Sequence, residues 1–201
     1  AAFGTAENAD FVARLAPIRR AKLGDNDLGN LYDEIELPLI PILADIELTG
    51  MKVNGDSLKK FSEYISGELE SLREKITNIA GREFNIGSPK QVGEVFGELN
   101  IETGKKTATG QVSTSHDVLV ELAETYEIAR HIIDYRELDK LRATYADALP
   151  KMIASDGRVH GALNQTVAAT GRLSSTEPNL QNIPVRTELG QQIRRAFIPE
   201  P

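Results

Sequence analysis

One stretch of the sequence, from residue 56 to residue 81, constrains the fold more than any other. Its large apolar side chains follow one another at intervals of 3, 4, 4, 3, 4 and 3 residues, which is the spacing of one face of an α-helix. Asp56 can cap the start of this helix, and Gly81 is suited to end it. So continuous an apolar face predicts a helical hairpin or a coiled coil packed through Leu58, Phe61, Ile65, Leu69, Leu72, Ile76 and Ile79.

Further helices are predicted on both sides of this stretch. We expect Pro38 and Pro41 to break one of them, and Ser88-Pro89 to begin another. The connections after residue 115 are short, so the last two helices should return antiparallel to the long one. Helical spacing of apolar residues places the further helices at residues 7–22, 28–49, 85–99, 115–122 and 127–149.

The C-terminal quarter of the chain has a different pattern. Residues 158–163 alternate apolar and polar side chains after the turn signal Asp156-Gly157, which predicts a β-strand. A second strand is expected at residues 164–170 and a third at residues 193–198. The predicted fold class is therefore mainly α, with long antiparallel helices followed by a few C-terminal strands, α+β overall, and a boundary near residue 150.

Residues 170–186 form an irregular segment rich in hydrogen-bond donors. Gly171, Pro178 and Pro184 interrupt any helical or strand period that could run through it. The segment nevertheless concentrates planar side chains that can hydrogen-bond to the base edges and phosphates of a nucleic acid. These candidates are Arg172, Asn179, Gln181, Asn182 and Arg186.

The charged residues are unevenly distributed along the chain, which bears on whether it could bind a nucleic acid. The formal net charge of −7 argues against a nucleic-acid binder, because phosphate neutralisation needs clustered Lys and Arg. Residues 1–102 carry 11 basic and 18 acidic side chains, a balance of −7, whereas residues 103–201 carry 12 of each. The C-terminal third is therefore the part that could face DNA, although ordinary charge scatter would give the same counts.

Composition excludes several classes of site. The chain has no cysteine and three histidines, so we expect neither a disulfide framework nor a cysteine metal site, and no metal ligands. No apolar run approaches the length of a bilayer span, and the first residues lack the pattern of a signal peptide. We expect a cytoplasmic chain with no membrane partner.

The run Thr-Gly-Arg-Leu-Ser-Ser-Thr-Glu-Pro-Asn-Leu-Gln-Asn-Ile-Pro-Val-Arg at 170–186 resembles a segment of a known family, as does Arg-Arg-Ala-Phe-Ile at 194–198. Both resemble the entry to the palm of family A DNA polymerases of the bacterial DNA polymerase I type. The resemblance continues, more weakly, back through the whole chain. It implies the end of an exonuclease-like domain at residues 1–30, a helical thumb at 31–150 and the palm entry at 151–201.

The same resemblance implies which residues of the palm entry contact primer–template DNA. Arg172 would hydrogen-bond in the minor groove at the primer terminus, where every correct base pair offers an acceptor in nearly the same place. Arg186 would brace the loop on the side of the incoming dNTP. The other expected contacts are Asn179, Gln181, Asn182 and, on the preceding segment, Gln165.

In the thumb, the resemblance implies three groups of DNA contacts. Each group has a simpler alternative: a serine that only caps a helix, lysines in a solvated loop, or arginines paired with Glu137 and Asp139 on a helix surface. The three groups are Asn85 with Ser88 at a helix N-terminus, Lys105 with Lys106 in the loop at 104–115, and Arg136, Lys140 and Arg142 on the last helix.

The family's catalytic chemistry requires groups that we do not expect here. Two Mg²⁺ ions held by carboxylates activate the primer hydroxyl and stabilise the leaving phosphate. In the family those carboxylates follow the Arg-Ala-Phe-Ile strand, so we expect this chain alone to be inactive. We also expect it to be monomeric. Gly4 and Asn8 stand where active proofreading relatives carry a Tyr-x-x-x-Asp motif, which implies an inactive exonuclease. The alternative function is a non-catalytic helical module that binds DNA or a protein.

Overall fold

A computed structural model describes residues 5–104 and 112–199 of the chain, with side chains described from residue 8 onward. Gly4, Lys105 and Lys106 lie outside the described residues. The α-helices are α1 (Thr5–Asp25), α2 (Gly29–Leu31), α3 (Leu37–Thr49), α4 (Gly55–Ala80), α5 (Pro89–Glu98), α6 (His116–Ala123), α7 (Glu127–Leu141), α8 (Leu149–Met152) and α9 (Glu188–Arg195). The strands are β1 (Met51–Lys52), β2 (Arg158–Val159), β3 (Ala162–Asn164) and β4 (Ser174–Thr176). The predicted fold class, mainly α with a few short strands, is confirmed.

The chain divides into two compact units. The first unit comprises Ala1–Gly50 and His160–Gln181, and the second comprises Met51–Val159 and Asn182–Pro201. Each unit contains one two-stranded antiparallel sheet, β3 with β4 in the first and β1 with β2 in the second.

In the first unit, polar contacts join helix α3 to the segment that carries β3. The carboxylate of Glu47 accepts a hydrogen bond from the backbone N–H of Leu163 at 2.5 Å. The carbonyl oxygen of the same residue lies 2.8 Å from Nδ1 of His160. Leu163 is in turn opposite Ser175 in the pairing of β3 with β4. The start of the donor-rich segment is therefore anchored to a helix more than 100 positions earlier in the sequence.

The prolines of the first unit do not break their helix. The chain is helical from residue 29 to residue 49, so the predicted break at Pro38 and Pro41 is wrong. Pro38 occupies the first turn of α3, where no N–H is needed. The turn before it, Tyr32–Glu36, is π-helical, a local widening of the kind that occurs where the regular hydrogen-bond ladder is interrupted.

In the second unit, helix α4 has the buried face that the spacing predicts. Gly81 follows it in the left-handed conformation, with φ of 74°, and so ends it as predicted. The predicted cap is wrong: Asn54, not Asp56, caps the helix, and its Oδ1 accepts from the N–H of Ser57 at 3.0 Å. Asp56 lies in the first turn, where its charge favours the helix dipole. The buried side chains are Leu58, Phe61, Ile65, Leu69, Leu72 and Ile76. Ile79, which was predicted on the same face, is exposed near the end of the helix, so the packed face stops one turn earlier than predicted.

Helix α7 packs against α4 and runs antiparallel to it, as predicted. Paired side chains show the direction, since residue numbers rise along α4 and fall along the other helix: Ser62 with Asp147, Ser66 with Arg142, and Arg73 with Tyr135. Helices α5 and α6 complete a core at the C-terminal half of α4. That core contains Ile76, Ile86, Val92, Val95, Phe96, Ile101, Leu119, Ile128, Ala129 and Ile132.

The single long helix predicted at 127–149 is interrupted. Helix α7 ends at Leu141, the segment Arg142–Ala146 is π-helical, and the short α8 follows at Leu149. The apolar stripe nevertheless continues through this interruption, because Tyr145 and Leu149 are both buried. A buried stripe with helical spacing therefore survives a change in the type of helical turn.

Two of the three predicted strands are wrong in extent or type. The alternating stretch at 158–163 is strand on both sides of His160 and Gly161, as β2 and β3. Strand β3 ends at Asn164, so 164–170 is not a second strand. Residues 193–198 are not a strand either, because α9 continues to Arg195 and only Phe197 makes a β-bridge, to Val53.

Candidate nucleic-acid interface

The donor-rich segment is held in shape by its own polar side chains. Ser175 is buried, and its hydroxyl accepts a hydrogen bond from the N–H of Leu180 at 2.9 Å. This contact spans the cis peptide bond between Glu177 and Pro178. The side-chain amide of Gln181 donates to the carbonyl oxygen of Leu173. These two contacts hold the backbone of residues 173–181 in its irregular course.

In the first unit, this segment presents Arg172 and Asn179 to solvent. Arg172 follows Gly171, whose φ of 75° places it in the left-handed region. No Cβ would clash at Gly171, so the glycine is needed for the turn itself and not for space. Gln181 is also exposed, but its amide nitrogen is already bonded within the segment.

In the second unit, Asn182 and Arg186 are exposed and lead into helix α9. Thr187 caps this helix, with its Oγ1 accepting from the N–H of Gly190 at 3.1 Å. A Cβ on Gly190 would collide with the backbone of Pro184, so the glycine lets the end of the segment lie directly on the first turn of α9. The position of Arg186 follows from this close packing.

Sequence reasoning missed the basic end of α9. Arg194 and Arg195 are both exposed in its last turn, and the residues between them and Arg186 add only one acidic side chain, Glu188. The signal was present in the local charge, but the prediction of a strand at 193–198 assigned alternate residues to opposite faces. On a helix, adjacent side chains are separated by about 100° around the axis and not by the half turn of a strand, so Arg194 and Arg195 do not point to opposite faces.

The turn at 85–88 uses its polar side chains to begin helix α5, as the spacing predicted. Oδ1 of Asn85 accepts from the N–H of Gly87 at 2.9 Å, and the N–H of Asn85 donates to Oε1 of Gln91 at 2.7 Å. Ser88 is the N-cap, with its hydroxyl 3.4 Å from the N–H of Gln91. Both candidate residues therefore have a structural role here, and their contact with DNA stays a prediction.

The three basic candidates on the last long helix differ in their surroundings. Lys140 is exposed, whereas Arg142 is partly buried and lies 3.3 Å from Asp139 and 3.7 Å from Asp147. The pairing of Arg142 with Asp139 is the surface alternative that the sequence left open. Arg136 is half-buried and donates to two backbone carbonyl groups, and burial lowers the pKa of its guanidinium.

Gln165 points into the protein. Its amide nitrogen donates to Oε2 of Glu36 at 2.6 Å and to the carbonyl oxygen of Glu36 at 3.0 Å. Gln165 follows strand β3, and Glu36 ends the π-helical turn before α3. The amide group is therefore occupied, and a DNA contact by this residue would have to use its oxygen.

The second unit also contains a cleft that the sequence did not predict. It has a volume of about 390 Å³ and lies between α4, α7 and the start of α9. Acidic and basic side chains line it together, among them Glu68, Lys75, His131 and Asp134. His131 lies 3.3 Å from Glu127, one turn earlier on the same helix. Mixed charge of this kind does not select a phosphate or a metal ion.

Within residues 5–104 and 112–199, no group of three or more His, Cys, Asp or Glu side chains is arranged to hold a metal ion. Over the same residues, no helix is both long and apolar enough to cross a bilayer.

Comparison with known proteins identifies the family. Residues 55–201 match the family model described as DNA polymerase family A. The chain is 47% identical over 180 residues to DNA polymerase I of Bacillus subtilis (strain 168), and the match covers 89% of this chain and 20% of that protein. It is 44% identical over 199 residues to DNA polymerase I of Rhizobium leguminosarum, which covers 98% of this chain and 20% of that protein.

A solved structure shares the fold. The POL domain of Pol1 from M. smegmatis, in complex with DNA primer-template and dNTP, superposes with a TM-score of 0.85 at 39% identity. The match covers 93% of this chain and 33% of that one, so the chain spans about a fifth of the curated relatives and a third of the solved domain. The resemblance drawn from residues 170–186 and 194–198 is thus confirmed, and the chain belongs to DNA polymerase family A.

Proposed function

We propose that this chain is the DNA-holding part of a DNA-directed DNA polymerase, which adds dNTPs to a primer 3′ end in replication and repair. The observation that carries the proposal is the family match over residues 55–201, which includes the exposed donors Asn179, Asn182 and Arg186 as well as Arg172. In this proposal residues 1–30 end an exonuclease-like domain, residues 31–150 form the thumb and residues 151–201 enter the palm.

The donors of the 170–186 segment would bind the duplex near the primer terminus. Arg172 offers a planar, permanently charged group that can reach a minor-groove acceptor common to all correct base pairs. Such a contact tests pairing geometry without reading sequence. Its backbone is held by the Ser175 and Gln181 hydrogen bonds, so the arginine is presented from a fixed support.

The remaining basic side chains would supply affinity that does not depend on sequence. Lys140 and Arg142 on the last long helix, together with Lys105 and Lys106, would neutralise phosphates and release counterions. The exposed Arg194 and Arg195 add positive charge beyond those predicted. Because this contribution is electrostatic, it should weaken as salt rises.

The parent polymerase would use two Mg²⁺ ions, which activate the primer hydroxyl and stabilise the leaving phosphate. In this proposal the carboxylates that hold those ions are not supplied by this chain. We therefore assign no catalytic step to this chain. Its part in the reaction is to bind and orient the primer–template, with dNTP selection left to the parent enzyme.

Fluorescence anisotropy with a primer–template hairpin at several salt concentrations tests the proposal. We expect the chain to bind the hairpin at low salt, and the Arg172→Ala variant to lose about 1–2 kcal/mol of binding free energy, the value of a hydrogen bond from a charged group. The matched control is Arg14→Ala, an exposed arginine on α1 that pairs with Asp10. Absence of binding at low salt, or equal losses for both variants, would contradict the proposal.

A further inference from the structure

The guanidinium group of Arg136 joins two separate segments of the second unit to helix α7. Its Nη1 donates to the carbonyl oxygen of Thr114 at 2.8 Å, and its Nε donates to the carbonyl oxygen of Ile86 at 3.2 Å. These acceptors are 22 and 50 residues away along the chain. One planar side chain thereby fixes two backbone positions that no secondary-structure ladder connects.

Each of the two segments leads into a helix. Ile86 lies in the turn that leads into α5, between Asn85 and the N-cap Ser88. Thr114 directly precedes the N-cap of α6, Ser115. Helix α5 and residues 104–111 lie between the two segments in sequence. Arg136 therefore contacts the chain both before and after this intervening stretch.

Helix α5 and the segment at 112–115 are also packed against each other close to these contacts. A Cβ on Gly93 of α5 would lie 3.3 Å from Cβ of Val112, so that helix and the returning segment are in close contact. The side chains of Ile86 and Thr114 are both buried. A shift of either carbonyl group would therefore disturb neighbours that have no free space.

The surroundings of Arg136 do not suit a direct phosphate contact. The side chain is half-buried, and its third nitrogen, Nη2, is shielded from solvent, so a phosphate has no direct access to that nitrogen. Within the described residues no carboxylate pairs with it, so its charge is met only by backbone carbonyl dipoles. Lys140, one turn further along the same helix, is exposed and could reach a phosphate directly.

We propose that Arg136 is a positioning residue, which orients the turn at 85–88 and the segment at 112–115 against α7 and affects DNA binding only through them. This inference rests on the proposed function for its consequence, although the geometry stands without it. Lysine cannot replace Arg136 in this role, because a single ammonium group lacks the fork that reaches two carbonyl groups in different directions.

Hydrogen–deuterium exchange on the chain without DNA tests the structural half of the proposal. In both Arg136→Lys and Arg136→Met, amides at 85–92 and 112–119 should exchange about tenfold faster, the effect of losing one net hydrogen bond. Amides in the N-terminal half of α4 should be unchanged, which shows that the variants fold. The contrast variant Lys140→Met should leave exchange in both segments unaltered. Unchanged exchange at either segment in both Arg136 variants would overturn the proposal.

Binding of the primer–template hairpin tests the functional half. For a positioning residue, Arg136→Lys and Arg136→Met should lower the affinity to the same extent. For a direct phosphate contact, Arg136→Lys would retain most of the affinity because it retains the charge, and that result would overturn the proposal. If the unmodified chain does not bind the hairpin, the proposed function fails, whereas the exchange result still decides the structural role of Arg136.

The Nε–H signal of Arg136 in a ¹⁵N NMR spectrum provides a test that needs no folded variant. Its hydrogen bond to Ile86 should make its proton exchange with water more slowly than that of the exposed Arg172. On addition of the hairpin, the Arg172 signal should shift and the Arg136 signal should not. A rapidly exchanging Arg136 proton, or a shift as large as that of Arg172, would overturn the proposal.

Discussion

Arg172 and Gln165 were predicted from the same kind of evidence, yet their surroundings differ. Arg172 is exposed beside a left-handed glycine, while the amide of Gln165 is bonded to Glu36, 129 residues earlier. A donor's residue type is visible in the sequence, but its partner is not when that partner lies far along the chain. By contrast, the helix start at Ser88 was predicted correctly, because an N-cap is set by local turn chemistry.

The pair formed by Arg82 and Glu98 makes a prediction at this scale. Both oxygens of Glu98 accept hydrogen bonds from the guanidinium group at 2.9 Å, which lowers the pKa of Glu98 below its ordinary value of 4.5. A carboxyl group whose pKa is lower in the folded state stabilises that state above the ordinary pKa. This contribution is lost as the pH falls from the ordinary value through the lowered one. The Arg82→Gln variant should therefore raise the pKa of Glu98 towards 4.5.

A ¹³C NMR titration of the Glu98 carboxyl group measures this change directly. The matched control is Arg73→Gln, which removes an exposed arginine of α4 and should leave the titration of Glu98 unaltered. The same midpoint for Glu98 with and without Arg82 would show that the pair does not form in solution. Higher salt should reduce the difference, because both side chains are largely exposed.

At the scale of an element, helix α4 offers a matched pair of glycines. Gly81 ends the helix with φ of 74°, whereas Gly67 lies in its exposed middle, and a Cβ would meet nothing within 4 Å at either position. A methyl group added at either glycine would therefore meet no neighbour, and only the backbone conformation differs between the two positions. We expect Gly81→Ala to lower the free energy of unfolding by about 1 kcal/mol, and Gly67→Ala to raise it by about 0.5–1 kcal/mol.

Urea unfolding followed by circular dichroism checks both glycine variants against the unmodified chain. Opposite signs are the decisive feature, since a general effect of added methyl groups would give the same sign twice. If Gly81→Ala were neutral, the helix would have to end elsewhere in solution. If both variants were destabilised, the middle of α4 would be contacting groups that its exposure does not indicate.

The elements that could be predicted are long ones whose sequence signals lie within the element itself. Helix α4 has seven apolar residues in a regular stripe and a glycine at its end. The structure buries six of the seven, with Ile79 exposed, and ends the helix at that glycine. Helix α9 has eight residues, and only Gly190 and Ile193 of them are buried, which is too short a stripe to distinguish from strand alternation. Its position depends on close packing with Pro184.

The candidate interface shows the same limit. The exposure of Arg172, Asn179, Asn182 and Arg186 agrees with the interpretation of residues 170–186 as an irregular, donor-rich segment. The role of Arg136 could not be predicted, because its two acceptors are backbone carbonyl groups in other segments. Every residue has a carbonyl group, so the sequence contains no signal for such a contact.

At the scale of the whole molecule, the two units differ in how much apolar surface they bury. Among the described residues of the first unit, Leu43 is the one large apolar side chain that is buried. Many others in its helices are exposed, including Phe11 at 63%, Ile42 at 56% and Leu48 at 80%. The second unit buries six apolar side chains along one face of α4 and a core beyond it. Burial of apolar surface is the main source of folding stability, so the first unit should be the weaker one.

Hydrogen–deuterium exchange across the whole chain tests this difference. We expect amides of α3 to exchange at least a hundredfold faster than those of α4 and α7, because a small buried core leaves little free energy to oppose local unfolding. Leu43→Ala should accelerate exchange in α3 further and leave α4 unchanged, whereas Ile76→Ala should act on α4 and α7. If α3 and α4 instead exchanged at one common rate, and each variant affected both, the two units would unfold together. The exposed apolar side chains of α1 and α3 would then have to be covered in solution.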